Sequence, residues 1–230
     1  MAGRQTLSFA VVADSGLVTA GMNRTGPGDV ASVEAVSGGT EWFFPLPDFG
    51  FDGEIHIRSL VDVDATYRVD RIQPDGVVEG VMEGVLDAQT LAVIPVEEVA
   101  GPGSGIVISA AESVAAAVVY AIDDVRAVAP GLAIESTRWS APVSAILNEG
   151  QVTVWILNTS GEALTGRIER LGIPAGPGQQ FDLPAGMTTG AVMVGATGGA
   201  LEVSADGPIV VYYGVLSGNS IGLGAAVPIG

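Results

Sequence analysis

The chain has 230 residues, 48% of them hydrophobic, with a mean hydropathy of +0.46; that apolar content excludes a disordered chain and suffices for one large domain or two of ordinary size. Its 26 acidic residues stand against nine arginines and no lysine, a net charge of −17, which makes nucleic acid and anionic lipid surfaces poor partners, keeps the protein soluble and can attract divalent cations. The absence of cysteine excludes disulfides, thiolate metal sites and cysteine nucleophiles.

Glycine (33) and proline (13) recur at short intervals along the whole chain, which favours many turns and therefore many short strands. The use of arginine alone among the basic residues reads as the codon bias of a GC-rich genome. Residues 1–12 (MAGRQTLSFAVV) have no cationic start followed by a sustained apolar core, so no signal peptide is expected. No apolar run reaches the roughly 20 residues that span a bilayer. If the protein is exported, this chain is expected to be its mature part or a fragment.

In chain order, residues 5–23 read as a hairpin, with "VADSGLVTAGM" (12–22) as its clearest part. Next comes "EWFFPLPDFGF" (41–51), which crowds Phe43, Phe44, Phe49 and Phe51 around Trp42. The following strand sets Ile55 and Ile57 on one face with His56 and Arg58 on the other, and "RSLVDVDATYRVDRI" continues it through a turn into a second strand. "QPDG" and Gly101-Pro102-Gly103 then break the chain.

Residues 109–129, "SAAESVAAAVVYAIDDVRAVA", look helical on their own, since Ser109 and Glu112 make a capping box ahead of alanine-rich sequence. A related stretch, "SADGPIVVYYGV" (204–215), carries turn residues followed by β-branched and aromatic ones. Two copies of one fold should not switch element, so we expect strands at 105–110 and 114–121 joined by a turn at Glu112 and Ser113. "QVTVWIL" (151–157) alternates Val152, Val154 and Ile156 against Thr153 and Trp155, and "NTSG" and "PAGPG" supply later turns.

The chain repeats itself. At a shift of 97, Trp42 falls on Trp139, Pro45 on Pro142, Gly53 on Gly150, Leu60 on Leu157 and Leu86 on Leu183; Ile55 and Ile57 lie over Val152 and Val154, and Arg58 over Trp155. With small gaps "RVDRI" aligns with "RIERL", and residues 12–22 form a third, partial copy of the hairpin. A period this long is unlike solenoid repeats of about 20–50 residues and suits two sandwich units. The expected fold is all-β: two tandem antiparallel β-sandwich domains of immunoglobulin-like size, residues 1–134 and 135–230. Residues 1–37 are an N-terminal hairpin copy and connection packed on the first; the alternative is the tail of a preceding repeat.

Positions shared by the copies should serve the fold, which makes Trp42 and Trp139 core plugs. Positions that differ are freer to serve a surface. The phenylalanine cluster either packs against the neighbouring unit or forms an aromatic binding surface, and Trp155 either lies covered or stacks on a sugar ring. Acidic pairs recur, and Asp62 with Asp64, expected on one strand face, and Asp123 with Asp124 are the candidates for a calcium site assembled between loops. Residues 1–134 carry a charge of −13 and 135–230 only −4, so any ion should bind in the first unit. The lone His56 cannot make a multi-histidine metal site. There is no G-x-S-x-G elbow, H-E-x-x-H, Walker loop or G-x-G-x-x-G, and the sequon at Asn158 is explained by its turn.

The succession of W-x-x-P, an alternating strand ending in "LNTSGEA", a glycine-punctuated stretch and a final "ADGPIVVYYG" strand resembles uncharacterised exported and cell-envelope proteins of actinobacteria that contain tandem β-sandwich domains of unknown function. The likeness covers both long blocks. It implies an extracellular or envelope setting and transfers no catalytic residue. The expected function is a non-enzymatic, exported structural or interaction module of a bacterial cell surface, with a protein or glycan as partner, no membrane insertion and no required cofactor. The alternative is a carbohydrate-binding module using exposed aromatics.

Overall fold

The computed structural model describes residues 38–47, 52–73, 77–122, 125–143, 151–171, 178–186, 188–194, 199–217 and 220–229. Among them there is no α-helix, and the one helical element is a 3-10 turn, Val96–Glu98. All else of regular structure is antiparallel β. The first half contributes β1 (Gly39–Pro45), β2 (Asp52–Ser59), β3 (Ala65–Ile72), β4 (Val78–Leu86), β5 (Leu91–Pro95), β6 (Gly105–Ile122) and β7 (Val125–Pro130). The second contributes β8 (Ser136–Val143), β9 (Gln151–Asn158), β10 (Leu164–Leu171), β11 (Gln179–Leu183), β12 (Thr188–Val194), β13 (Gly199–Ser217), β14 (Ser220–Ala225) and β15 (Val227–Pro228). They form one sheet of seven strands and one of eight.

Each sheet is organised by one long strand. β6 pairs with β3 and β1 along 105–110, then with β2 and β7 along 114–122. β13 does the same with β10 and β8, then with β9 and β14. The outer strands follow suit: β4 pairs with β3 as β11 does with β10, and β5 with β2 as β12 does with β9. Even the backbone bond from Gly131 N to Ala116 O reappears as Ala226 N to Val211 O.

The expected turn inside this long strand is absent. Residues 111–113 continue β6, and 206–208 continue β13. Between Glu41–Ser109 and Gly39–Val114, β6 advances five residues while β1 advances two, and the irregularity between Ser204 and Ile209 has the same size. The extra residues form a bulge where the strand exchanges one pair of partners for another, a position at which bulges bend and twist the ribbon. Glycine, proline and aspartate suit such a bend as well as a turn. The helical alternative for 109–122 fails for the reason the second copy supplies: the ladder needs residues that fit a pleated surface.

Register corrects the single shift of 97. Trp42 faces Ile108 and Trp139 faces Val203, so the shift holds in β1 and β8. In β2 and β9, Ile55 faces Val118 as Val154 faces Tyr213, a shift of 99. The counterpart of Trp155 is therefore His56, opposite Ala117 as Trp155 is opposite Tyr212. An error of two residues leaves every side chain on its proper face.

Two buried clusters follow. One surrounds Trp42 with Phe44, Ile55, Ile57, Val69, Ile106 and Ile108, and the other surrounds Trp139 with Val152, Val154, Ile156, Ile168 and Val203. The Trp139 indole N–H donates to Ser136 O at 3.1 Å and Ile209 O at 2.9 Å, whereas that of Trp42 meets no hydrogen-bond partner among the described residues. Cross-strand glycines accept large rings, and the copies exchange sides: Tyr67 lies over Gly84, and Phe181 over Gly166. The hairpin copy at 12–22 lies outside the described residues.

Candidate functional site

β2 buries Ile55 and Ile57 and leaves Glu54, His56 and Arg58 partly exposed on its other face. Its counterpart β9 is buried on both faces. Val152, Val154 and Ile156 fill the second cluster, while Thr153, Trp155 and Leu157 are covered as well. The same holds for β13, where Ile209 and Val211 face the second cluster and Val210 and Tyr212 are buried on the opposite side.

What covers this second face is the first half of the chain. Trp155 and Tyr212 belong to the cluster around Trp42, and Leu157 and Val210 pack with Phe43 and Ile72. The Tyr212 hydroxyl donates to Pro130 O and lies 3.5 Å from Phe43 O. Thr188 donates from its backbone N to Gly103 O at 3.3 Å and from Oγ1 to Ser104 O at 3.1 Å. A Cβ on Gly105 would stand 2.4 Å from Leu157 Cδ1, so glycine there permits the close approach. Burial, with Tyr120 nearby, pushes the Tyr212 hydroxyl well above its ordinary pKa, and burial does the same to Tyr120. Both stay protonated donors. Each buried aromatic removes about 150–250 Å² from water, so at about 25 cal/mol per Å² Trp155 and Tyr212 hold the halves together by several kcal/mol.

Of the two readings of these aromatics, packing and an exposed binding surface, the described ones follow packing. Trp155 is 1% exposed, Phe43 8% and Phe44 0%: Trp155 and Phe43 join the halves and Phe44 sits in the first cluster, so none can stack on an incoming sugar. Phe49 and Phe51 lie outside the described residues. Sequence reading missed Leu157, Val210, Tyr212 and Thr188 as members of this face.

The acidic candidates are placed differently from expectation too. Asp62 and Asp64 are exposed and lie in the bends between β2 and β3, not on a strand face. Asp62 Oδ1 accepts from Gln89 Nε2. Asp123 and Asp124 lie outside the described residues. Among the described residues no group of three or more His, Asp or Glu is placed to hold a metal ion. His56 Nε2 lies 3.1 Å from Glu54 Oε2, a local strand pair.

Two shallow depressions of about 580 and 550 Å³ lie at matching places on the outer sheet faces, one bordered by Thr165, Arg167, Asp182 and Asp206 and the other by Thr66, Arg68, Glu83 and Ser109. In the former the Asp206 carboxylate accepts from Thr165 N at 2.9 Å and Thr165 Oγ1 at 3.0 Å, and these bonds lower its pKa. It is a strand-capping anion, not an acid poised to give up a proton. No helix among the described residues is long and apolar enough to cross a membrane. In comparison with known proteins, the sequence matches no protein-family model and no curated protein.

Proposed function

We propose that the chain is a non-catalytic structural or interaction module of a bacterial cell surface, made of two tandem antiparallel β-sandwich units of immunoglobulin-like size, residues 1–134 and 135–230. The observation that carries this reading is where the large apolar side chains go. Two sets of seven strands share one pairing scheme, and the face on which the second half could present Trp155 and Tyr212 is used to fix it to the first. Halves joined through buried sheet faces suit a part that must present area. A net charge of −17 keeps such a surface hydrated and separated from its neighbours.

The carbohydrate-binding alternative rests on exposed aromatics, and the burial of Trp155, Phe43 and Phe44 favours the structural reading over it. Protein or glycan partners, if engaged, would meet the polar outer faces. The test is immunodetection on intact cells of the native host, with and without added protease. Accessible, protease-sensitive epitope is expected. Signal that appears only after cell lysis would overturn the cell-surface assignment.

A further inference from the structure

The contact between the halves joins two different surfaces. The later half offers the outer face of β9 and β13, and the earlier half receives it on Phe43, Ile72, Val107 and Leu132. Strand-for-strand correspondence gives each half a version of both surfaces, so one offering face and one receiving face remain unmatched by this contact. On the first half, the positions of Trp155, Leu157, Val210 and Tyr212 are held by His56, Arg58, Ala115 and Ala117. Nearby Val93 is 43% exposed. On the second half, the positions of Phe43, Ile72, Val107 and Leu132 are held by Ser140, Leu171, Glu202 and Val227. Here Leu171 is 40% and Val227 58% exposed.

The substitutions are complementary. Within the chain, Val107 and Leu157 belong to one apolar cluster; at the unmatched faces these positions become Glu202 and Arg58. Opposite charges thus stand where apolar side chains meet, with Leu171, Val227 and Ala115 around them. Glu202 is bonded by Arg138 at 2.7 and 3.1 Å, and a carboxylate retains acceptor capacity for a further guanidinium.

We propose that a second copy of this chain docks its β2–β6 face, centred on Arg58, onto the face of the first copy formed by Ser140, Leu171, Glu202 and Val227. This rests on the reading of the halves as repeated units. Such a contact is heterologous, so it extends into open chains of molecules instead of closing as a dimer. Because His56 and Ala117 replace the large Trp155 and Tyr212, the contact between molecules is weaker than that within one, and assembly is reversible.

Sedimentation equilibrium across a wide concentration range tests this, at near-physiological ionic strength where a Debye length of about 8 Å screens the shared negative charge. The weight-average mass is expected to climb with concentration past the dimer. Arg58→Glu and Glu202→Arg should each raise the concentration needed by at least about tenfold, and the two together should restore it. Val227→Glu, at an exposed position, should weaken assembly without threatening the fold, and melting curves verify that each variant is folded. A constant monomer mass, a plateau at the dimer, or a double charge reversal that fails to restore assembly would overturn the proposal. A monomer that is displayed on intact cells would leave the cell-surface reading standing, and assembly by a protein confined within cells would do the reverse.

Discussion

Gly131→Ala tests the packing of the first half's buried cluster at one atom. A Cβ at Gly131 would lie 2.6 Å from Phe44 Cζ, 3.0 Å from Trp42 Cε3 and 3.1 Å from Trp42 Cβ. Both rings are fully buried, so neither can step aside cheaply, and overpacking of this kind costs about 1–3 kcal/mol. Backbone conformation gives no reason for the glycine, since Gly131 is not among the residues with positive φ. Its counterpart is alanine, Ala226, and the counterpart of Phe44 is Ala141, both in the buried cluster of the second half. Glycine faces phenylalanine in one copy, and alanine faces alanine in the other. Phe44→Ala alone should cost about 3–5 kcal/mol through the cavity it leaves. In the double variant the new methyl enters that cavity, so the combined loss should fall short of the sum by at least about 1 kcal/mol. Denaturant unfolding followed by tryptophan fluorescence measures all four corners of the cycle. A Gly131→Ala variant as stable as the parent, or losses that add within about 0.5 kcal/mol, would show that the added methyl and the Phe44 ring do not compete for one space.

Other outcomes follow from the same contacts. Trp155→Ala should destabilise by about 3–5 kcal/mol, read as a lower denaturation midpoint, although its site lies on the face of β9 turned away from that strand's own cluster. Tyr120 and Tyr212 hold their protons in the fold above the ordinary value of 10.0, so stability should be independent of these groups below about pH 10. It should then fall as the unfolded chain ionises, by about 2.7 kcal/mol per pH unit for the two together. Tyr212→Phe should halve that slope in unfolding curves taken across the alkaline range. Asn158 is fully buried and its amide N donates to Glu162 O, Leu183 O and Pro184 O at 2.7, 3.1 and 3.1 Å. Asn158→Asp removes those donors and buries a charge, for an expected loss of at least about 3 kcal/mol in the same unfolding assay.

Much of the architecture was legible because the chain carries its own comparison. "SAAESVAAAVVYA" alone reads as helix, and only the glycine, proline and β-branched residues of "SADGPIVVYYGV" show that the position belongs to a strand. The same residues misled on one point: Asp206-Gly207-Pro208 has turn chemistry, yet a strand changing partners needs the same conformational freedom for a bulge. Packing of Phe43 against the other half was one of the two readings its sequence offered; the second half's side of the joining face was missed although it left a trace. "DGEIHIRS" interrupts its apolar residues at every second position, as a strand covered on one side should; "VTVWIL" and "PIVVYY" run almost without interruption, the mark of burial on both sides. Reading Trp155 as an outward residue took the alternation of Val152, Val154 and Ile156 as complete and overlooked Leu157 on the other face. The spacing of two between Asp62 and Asp64 matches a pleat, but "VDVD" follows the last rung of β2 at Ser59 and forms bends instead.

The outer face of the second half packs against the first half and takes Trp155 into the contact. Fluorine NMR of protein labelled with 5-fluorotryptophan, recorded in light and heavy water and assigned with Trp155→Phe, reads this directly. The Trp155 resonance should show no solvent isotope shift, like those of Trp42 and Trp139; a full shift at Trp155 beside unshifted signals from the other two would mean that this face is open to water.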